Sequence, residues 1–143
     1  MRAIGFNYKK ISIEKLPSND LEGVKVNANI DISEISSVKP VDILKSKEEL
    51  VAVQFTYVVS YDPDFAKLVF SGNIILEIEP KLAKEILKSW KDKKEMPEDF
   101  RVFVFNIILR KSNLKALELE DEMNLPLHIP MPSIQKEDMK STN

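Results

Sequence analysis

Val24, Val26, Ala28, Ile30 and Ile32 alternate with Lys25, Asn27, Asn29, Asp31 and Ser33, the cleanest period-two stretch in the chain. One apolar and one wet face predict a strand of an antiparallel sheet, because parallel strands are apolar on both faces. Upstream, Ile4, Phe6 and Tyr8 alternate, and Ile11 and Ile13 continue on the opposite parity. A strand there needs a bulge near Lys9 and Lys10 to keep one apolar face. Leu16 to Asp20 reads as a loop, since Pro17 cannot donate to a ladder and Ser18, Asn19 and Asp20 satisfy turns locally. Residues 36–49 read as a connection, in which 42–50 is equally readable as coil or as a short helical turn. Residues 50–61 form a third strand with Val51, Val53, Phe55, Tyr57, Val59 and Tyr61 on one face. Its other face (Ala52, Gln54, Thr56, Val58, Ser60) is mild enough for a central position. Asp62-Pro63-Asp64 is type I turn chemistry. Residues 66–79 return as a fourth strand with Leu68, Phe70, Ile74, Leu76 and Ile78 inward. Gly72 shares that inward parity, which calls for a close backbone approach or a bulge.

At Pro80 the period changes from two to helical. Proline suits a first turn, and Leu82, Ala83, Ile86, Leu87 and Trp90 share one face of a helix over 80–92. Pro97, Glu98 and Asp99 open a second helix, running to Met123. Within it, eight of the ten residues from Phe100 to Leu109 are apolar. Phe, Val and Ile also suit a strand, but the opening, the length and the spacing of Leu114, Leu117 and Asp121 favour helix. From Glu98 to Met123 it measures roughly 39 Å at the α-helical rise. A helix apolar almost all round must be covered on every side, and one four-stranded sheet covers a single side. The expectation is therefore a second chain. Beyond it, residues 124–134 carry three prolines with apolar residues between them, predicting an extended strap packed on the body. The resulting fold class is α+β, a four-stranded antiparallel sheet followed by a short and a long helix. The 143 residues fit one domain over 1–135, with 136–143 a flexible tail.

Composition removes several functions. With no cysteine there are no disulfides, thiolate metal sites or cysteine nucleophiles, and one histidine excludes a histidine-rich metal site. A net charge of −2 without a basic stripe argues against nucleic-acid binding. No signal-like or membrane-spanning apolar run is present, so the expected location is the cytoplasm, without membrane insertion. Isolated Gly5, Gly23 and Gly72 make no phosphate loop. No cofactor or enzymatic activity is expected.

His128 stands between Leu127 and Ile129 with no nucleophile or orienting partner nominated, so it reads as a histidine on an apolar strap. Glu118, Glu120, Asp121 and Glu122 are an acidic cluster in which 118, 121 and 122 share a helix face. Such a face could hold a hard cation or a basic partner, though solvated charge is the simpler reading. Glu77 and Glu79 read as an exposed strand face. Trp90 is either core or an interface anchor.

Four antiparallel strands, helices and a proline-interrupted apolar C-terminal segment resemble the SecB family of export chaperones. The likeness rests on residues 24–32, 51–61 and 68–78 as consecutive strands and on Leu125-Pro126-Leu127-His128-Ile129-Pro130-Met131-Pro132. SecB proteins pair sheets, pack long helices between dimers in a tetramer, and hold unfolded preproteins in apolar grooves for a SecA motor. The resemblance implies a polypeptide-binding holdase or adaptor acting as a homo-oligomer, dimer or tetramer. This chain departs in its charged helix over 80–92 and lacks the cysteine-containing zinc tail of the SecA partnership, so export through SecA is not carried over. Candidate contacts for unfolded or extended polypeptide are Trp90, Leu127, Ile129 and Met131, because an apolar strap leaves side chains accessible and methionine adapts to varied partners. Two other classes stay open: a small-molecule binder or enzyme with a pocket between sheet and helix, and a structural oligomer subunit.

Overall fold

The structure is a computed structural model describing residues 1–17, 23–39 and 48–136. Its elements are β1 (Arg2–Lys15), β2 (Lys25–Val38), β3 (Glu49–Asp62), β4 (Ala66–Ile78), α1 (Pro80–Lys93) and α2 (Glu98–Glu122). The strands form one antiparallel sheet in the order β1-β4-β3-β2. β3 is central, as its two apolar faces require. The odd residues of β3 from Val51 to Tyr61 and the even residues of β4 from Ala66 to Ile78 are all buried on one face, which both helices cover. The helical turn considered for 42–50 lies mostly outside the described residues, and so does most of the tail.

Bulges keep the apolar sets in phase. Register shifts between Tyr8 and Lys10, as the parity change requires, and also between Ala3 and Gly5 and between Ile32 and Glu34. The last of these corrects the boundary of β2. The strand continues through residues 36–38, assigned above to a connection, because the bulge turns Ile35 inward opposite Val53. Being an edge strand, β2 leaves Val26 and Ala28 of its inward set exposed. The corner at 62–64 also differs from a type I turn: the Asp62–Pro63 peptide is cis and Asp64 has φ 44°.

Opposite the bulge of β1 lies Gly72, paired with Tyr8. A Cβ there would overlap the Asn7 carbonyl oxygen and sit 3.0 Å from Tyr8 Cα. Of the two alternatives for this position the close backbone approach is the one present: β4 keeps its register with β3, and the bulge of β1 drives that strand into the space that glycine leaves.

α1 starts with Pro80 at N1 and ends where Lys94, at φ 55°, turns out of the helix and donates its N–H to Trp90 O at 3.0 Å. The Lys94 ammonium lies 5.2 Å from the Trp90 ring centre. α2 carries Glu98 and Asp99 in its first turn, where the macrodipole favours anions. Residues 100–109 are helical, as expected. α2 buries Phe100, Val104, Ile108, Ser112, Ala116 and Glu120, an unbroken i, i+4 ridge, with Ile107 beside it. Leu114, whose spacing with Leu117 and Asp121 favoured helix, is 69% exposed. The small Ser112 and Ala116 belong on the ridge because the sheet beneath is crowded by rings. Phe6, Tyr8, Phe55, Tyr57 and Phe70 form a chain of aromatic contacts with centroids 5.0–6.1 Å apart. On the far side of α2, Val102 is 52% exposed.

Candidate functional site

The inner ridge of α2 ends in a carboxylate with no exposure at all, Glu120. Why it meets a partner follows from how the helix stops. Asn124, in the left-handed region at φ 55°, is the C′ residue of a Schellman turn. Leu125 N–H donates to Glu120 C=O at 2.8 Å, and Asn124 N–H to Asp121 C=O at 3.2 Å. Leu125 is buried in the core. The chain therefore reverses, and the strap that follows passes back over the last turn of α2. With no basic residue in that turn, Lys15 of β1 donates to Met123 C=O at 3.1 Å and supplies the cation that the helix end favours.

The reversal brings His128 to Glu120. The ring Nδ1 lies 2.9 Å from Oε1 and 2.7 Å from Oε2, and the side chains are 3% and 0% exposed. Oε1 also accepts the His128 backbone N–H at 3.0 Å. Oε2 has the ring Nδ1 2.7 Å away but no aligned hydrogen bond. On the other side of the ring, Nε2 lies 2.9 Å from Asn113 Oδ1 and 3.3 Å from the Tyr57 hydroxyl. That hydroxyl donates to Asn113 Oδ1 at 2.6 Å. Tyr61 O–H donates to the Pro126 carbonyl. Further along the ridge Tyr8 O–H reaches Ser112 Oγ at 3.4 Å.

These groups make a polar layer between β3, α2 and the strap. Such a layer is tolerated inside a protein only when its members satisfy one another. Burial, followed by the charge of Glu120, pushes the Tyr57 phenol up to about 12. The same causes, in the same order, push Tyr61 higher. A raised phenol stabilises the fold fully below the unfolded value of about 10, and that contribution is lost as pH rises through the folded value. Of the three tyrosines, two are therefore expected to stay protonated at pH 11 in the native protein. Tyrosinate absorbance checks this, and stability in urea should fall steadily above pH 10. Two phenols ionising near 10 without unfolding would contradict the layer.

No family model matches the chain, and no curated protein matches it. Among solved structures it is similar to the SecB-like chaperone Rv1957 of Mycobacterium tuberculosis, in complex with a ChAD peptide from the Rv1956 HigA1 antitoxin. The likeness covers 94% of this chain and 91% of that one, with a TM-score of 0.51 and 9% sequence identity. The fold is SecB-like.

On this SecB-like frame the residues singled out from sequence fall in two places. Leu127, Ile129 and Met131 alternate along the strap: Leu127 and Met131 are exposed and Ile129 is half-buried. Trp90 sits elsewhere, on α1, in a hollow of about 380 Å³ beside Ser33, Glu34 and Ile35 of β2 and rimmed by Lys91 and Lys94. Only a small part of the ring is exposed. Glu118, Asp121 and Glu122 are on the solvated side of α2. Glu77 is half-buried and pairs with Arg2 at 2.5 Å. Sequence reasoning treated Glu120 as one of four surface acids and His128 as a bystander; their pairing depends on the Schellman reversal. Two signals could have found it: the i, i+4 series from Phe100, which ends on Glu120, and asparagine before Leu-Pro as a helix stop. Among the described residues no group of three or more acids and histidines could hold a metal ion, and no helix is long and apolar enough to cross a membrane.

Proposed function

We propose that the chain binds extended apolar polypeptide in the cytoplasm as a symmetric homo-oligomer, a holdase or adaptor of SecB-like form. The observation carrying this reading is the likeness over nearly the whole chain to a SecB-like chaperone in complex with a peptide. The surface agrees with it. Leu127, Met131 and Ile134 are apolar, exposed and carried by an extended segment, and Ile129 lies between them. Such side chains can meet a partner without a prior ordering of the backbone. Trp90, the fourth contact, offers a ring edge in a hollow beside the β2 edge, where Lys91 and Lys94 favour acidic residues flanking an apolar segment.

Self-association is supported by the other side of α2. Val102 and Leu114 are exposed there, Phe103 is half-buried, and Met1 and Ile4 of the neighbouring edge are exposed too. A helix this apolar gains by having its second side covered. Purified protein is expected to suppress aggregation of an unfolded client at a near-stoichiometric ratio, with light scattering reporting a dimer or tetramer. Failure with several clients while the oligomer stays intact removes the reading.

A further inference from the structure

We propose that residues 125–134 are the resident occupant of a polypeptide site on the inner face of β3. An apolar, proline-containing segment of a partner, with a basic side chain in the place of His128, displaces them. This rests on the polypeptide-binding reading above, but places the site beneath the strap instead of on its exposed side chains and adds the kind of segment it takes.

Four observations carry it. The strap has no ladder or helix of its own beyond its Schellman start, and it runs antiparallel to β3, with Pro126 at Tyr61 and His128 at Tyr57. Two buried side chains grip its backbone. Tyr61 donates to the Pro126 carbonyl, and Glu120 Oε1 accepts the His128 N–H. Such contacts can be made to nearly any sequence, since peptide groups recur in all of them. Selectivity enters at one side chain, where the imidazole meets Glu120 and Asn113. Finally, Glu120 Oε2 is wholly buried with no aligned donor. An imidazole offers Glu120 one N–H, whereas a guanidinium offers a fork that fits both carboxylate oxygens. The site is thus better matched to a basic segment than its own strap supplies, which suits an occupant that must leave. Outward from the grip, Leu127, Met131 and Ile134 are exposed and hold the strap weakly.

The sole histidine makes the test direct. Protein labelled on His128 is titrated with unlabelled peptides copying residues 124–135, either unchanged, with H128R or with H128E. Binding is followed by anisotropy of dye-labelled copies. On binding, the ring resonance is expected to move to its free position. The amides of 127–129 should lose protection from hydrogen exchange at least about tenfold while those of β3 keep theirs. The H128R peptide should bind about tenfold more tightly than the unchanged one, and H128E should not compete. Peptides that bind while His128 and the strap stay in place overturn the inference and leave polypeptide binding standing. Equal binding of all three peptides overturns it as well. Should wild-type protein bind none, H128L decides, or H128Q if H128L does not keep β3 protection. Binding by the variant supports a latched strap, and no binding overturns the site. The aggregation assay judges the underlying reading separately.

Discussion

His128→Leu is expected to lower the free energy of unfolding in urea by about 3 kcal/mol, and adding Glu120→Gln to restore about half of that. The unusual feature is the sign of the second change. Taken alone, the leucine leaves a carboxylate of zero exposure without its ring partner, facing two phenols that its own field already disturbs. Removing one member of a buried pair is costly because the remaining charge has lost both water and partner. Glu120→Gln removes that charge while keeping an oxygen for the backbone N–H of residue 128, the contact at 3.0 Å. The cost stays at the lower end for buried pairs because the strap can swing away and admit water to Glu120. A control sits on the same helix: the Lys115–Glu118 pair, 3.3 Å apart with both side chains over a third exposed, should change stability by less than about 0.5 kcal/mol in Glu118→Gln. A double variant no more stable than His128→Leu would mean that Glu120 carries no uncompensated charge.

The same pair shows where reading the sequence stopped. Strand patterns were legible because one face of the sheet is buried, and burial on one face writes period two into the chain. The bulge at Lys9 and Lys10 was legible for that reason: only an extra residue reconciles Phe6 and Tyr8 with Ile11 and Ile13. Ile35 was missed because a second bulge shifts parity after a stretch already complete in itself. In α2 no inner face could be assigned from the sequence, because its first half is apolar almost all round and Ser112 and Ala116 carry no apolar signal. Over a crowded aromatic floor, small size matters more than apolarity, and the ridge at i, i+4 selects serine and alanine. Glu120 takes its partner from eight positions later, after a chain reversal, so only the ridge that ends on it and the asparagine helix stop pointed to it.

Exposed residues have a complementary lesson. The expectation that α2 is too widely apolar for one sheet agrees with Val102 and Leu114 remaining outside. Together with the exposed strap residues, this leaves two separate apolar surfaces, one on α2 beside β1 and one on the strap over β3. A second copy and a bound polypeptide could then be accommodated without competing. They lie on opposite sides of α2, so any coupling between the proposed self-association and peptide binding would run through that helix. That coupling is what assembly measurements with and without peptide would read.

Gly72→Ala should cost about 3 kcal/mol, at the upper end for overpacking, with the loss concentrated in β1. The new methyl would overlap Asn7 O and fall 3.0 Å from Tyr8 Cα, both backbone atoms that no rotamer change can move. β1 must retreat bodily. In doing so it loses the Tyr8–Phe70 and Phe6–Phe55 ring contacts and the Tyr8–Ser112 hydrogen bond. Gly5→Ala on the same strand is the control: its Cβ meets Ile75 at an ordinary 3.6 Å and should change stability by less than about 0.5 kcal/mol. Urea unfolding gives the totals, and hydrogen exchange locates them, with β1 amides losing protection before those of β3. Equal effects of the two alanines would mean that β1 does not press on β4 at its bulge. The apolar edge beside α2, on which self-association is proposed, would then lack the rigid strand that now holds Met1 and Ile4 in place.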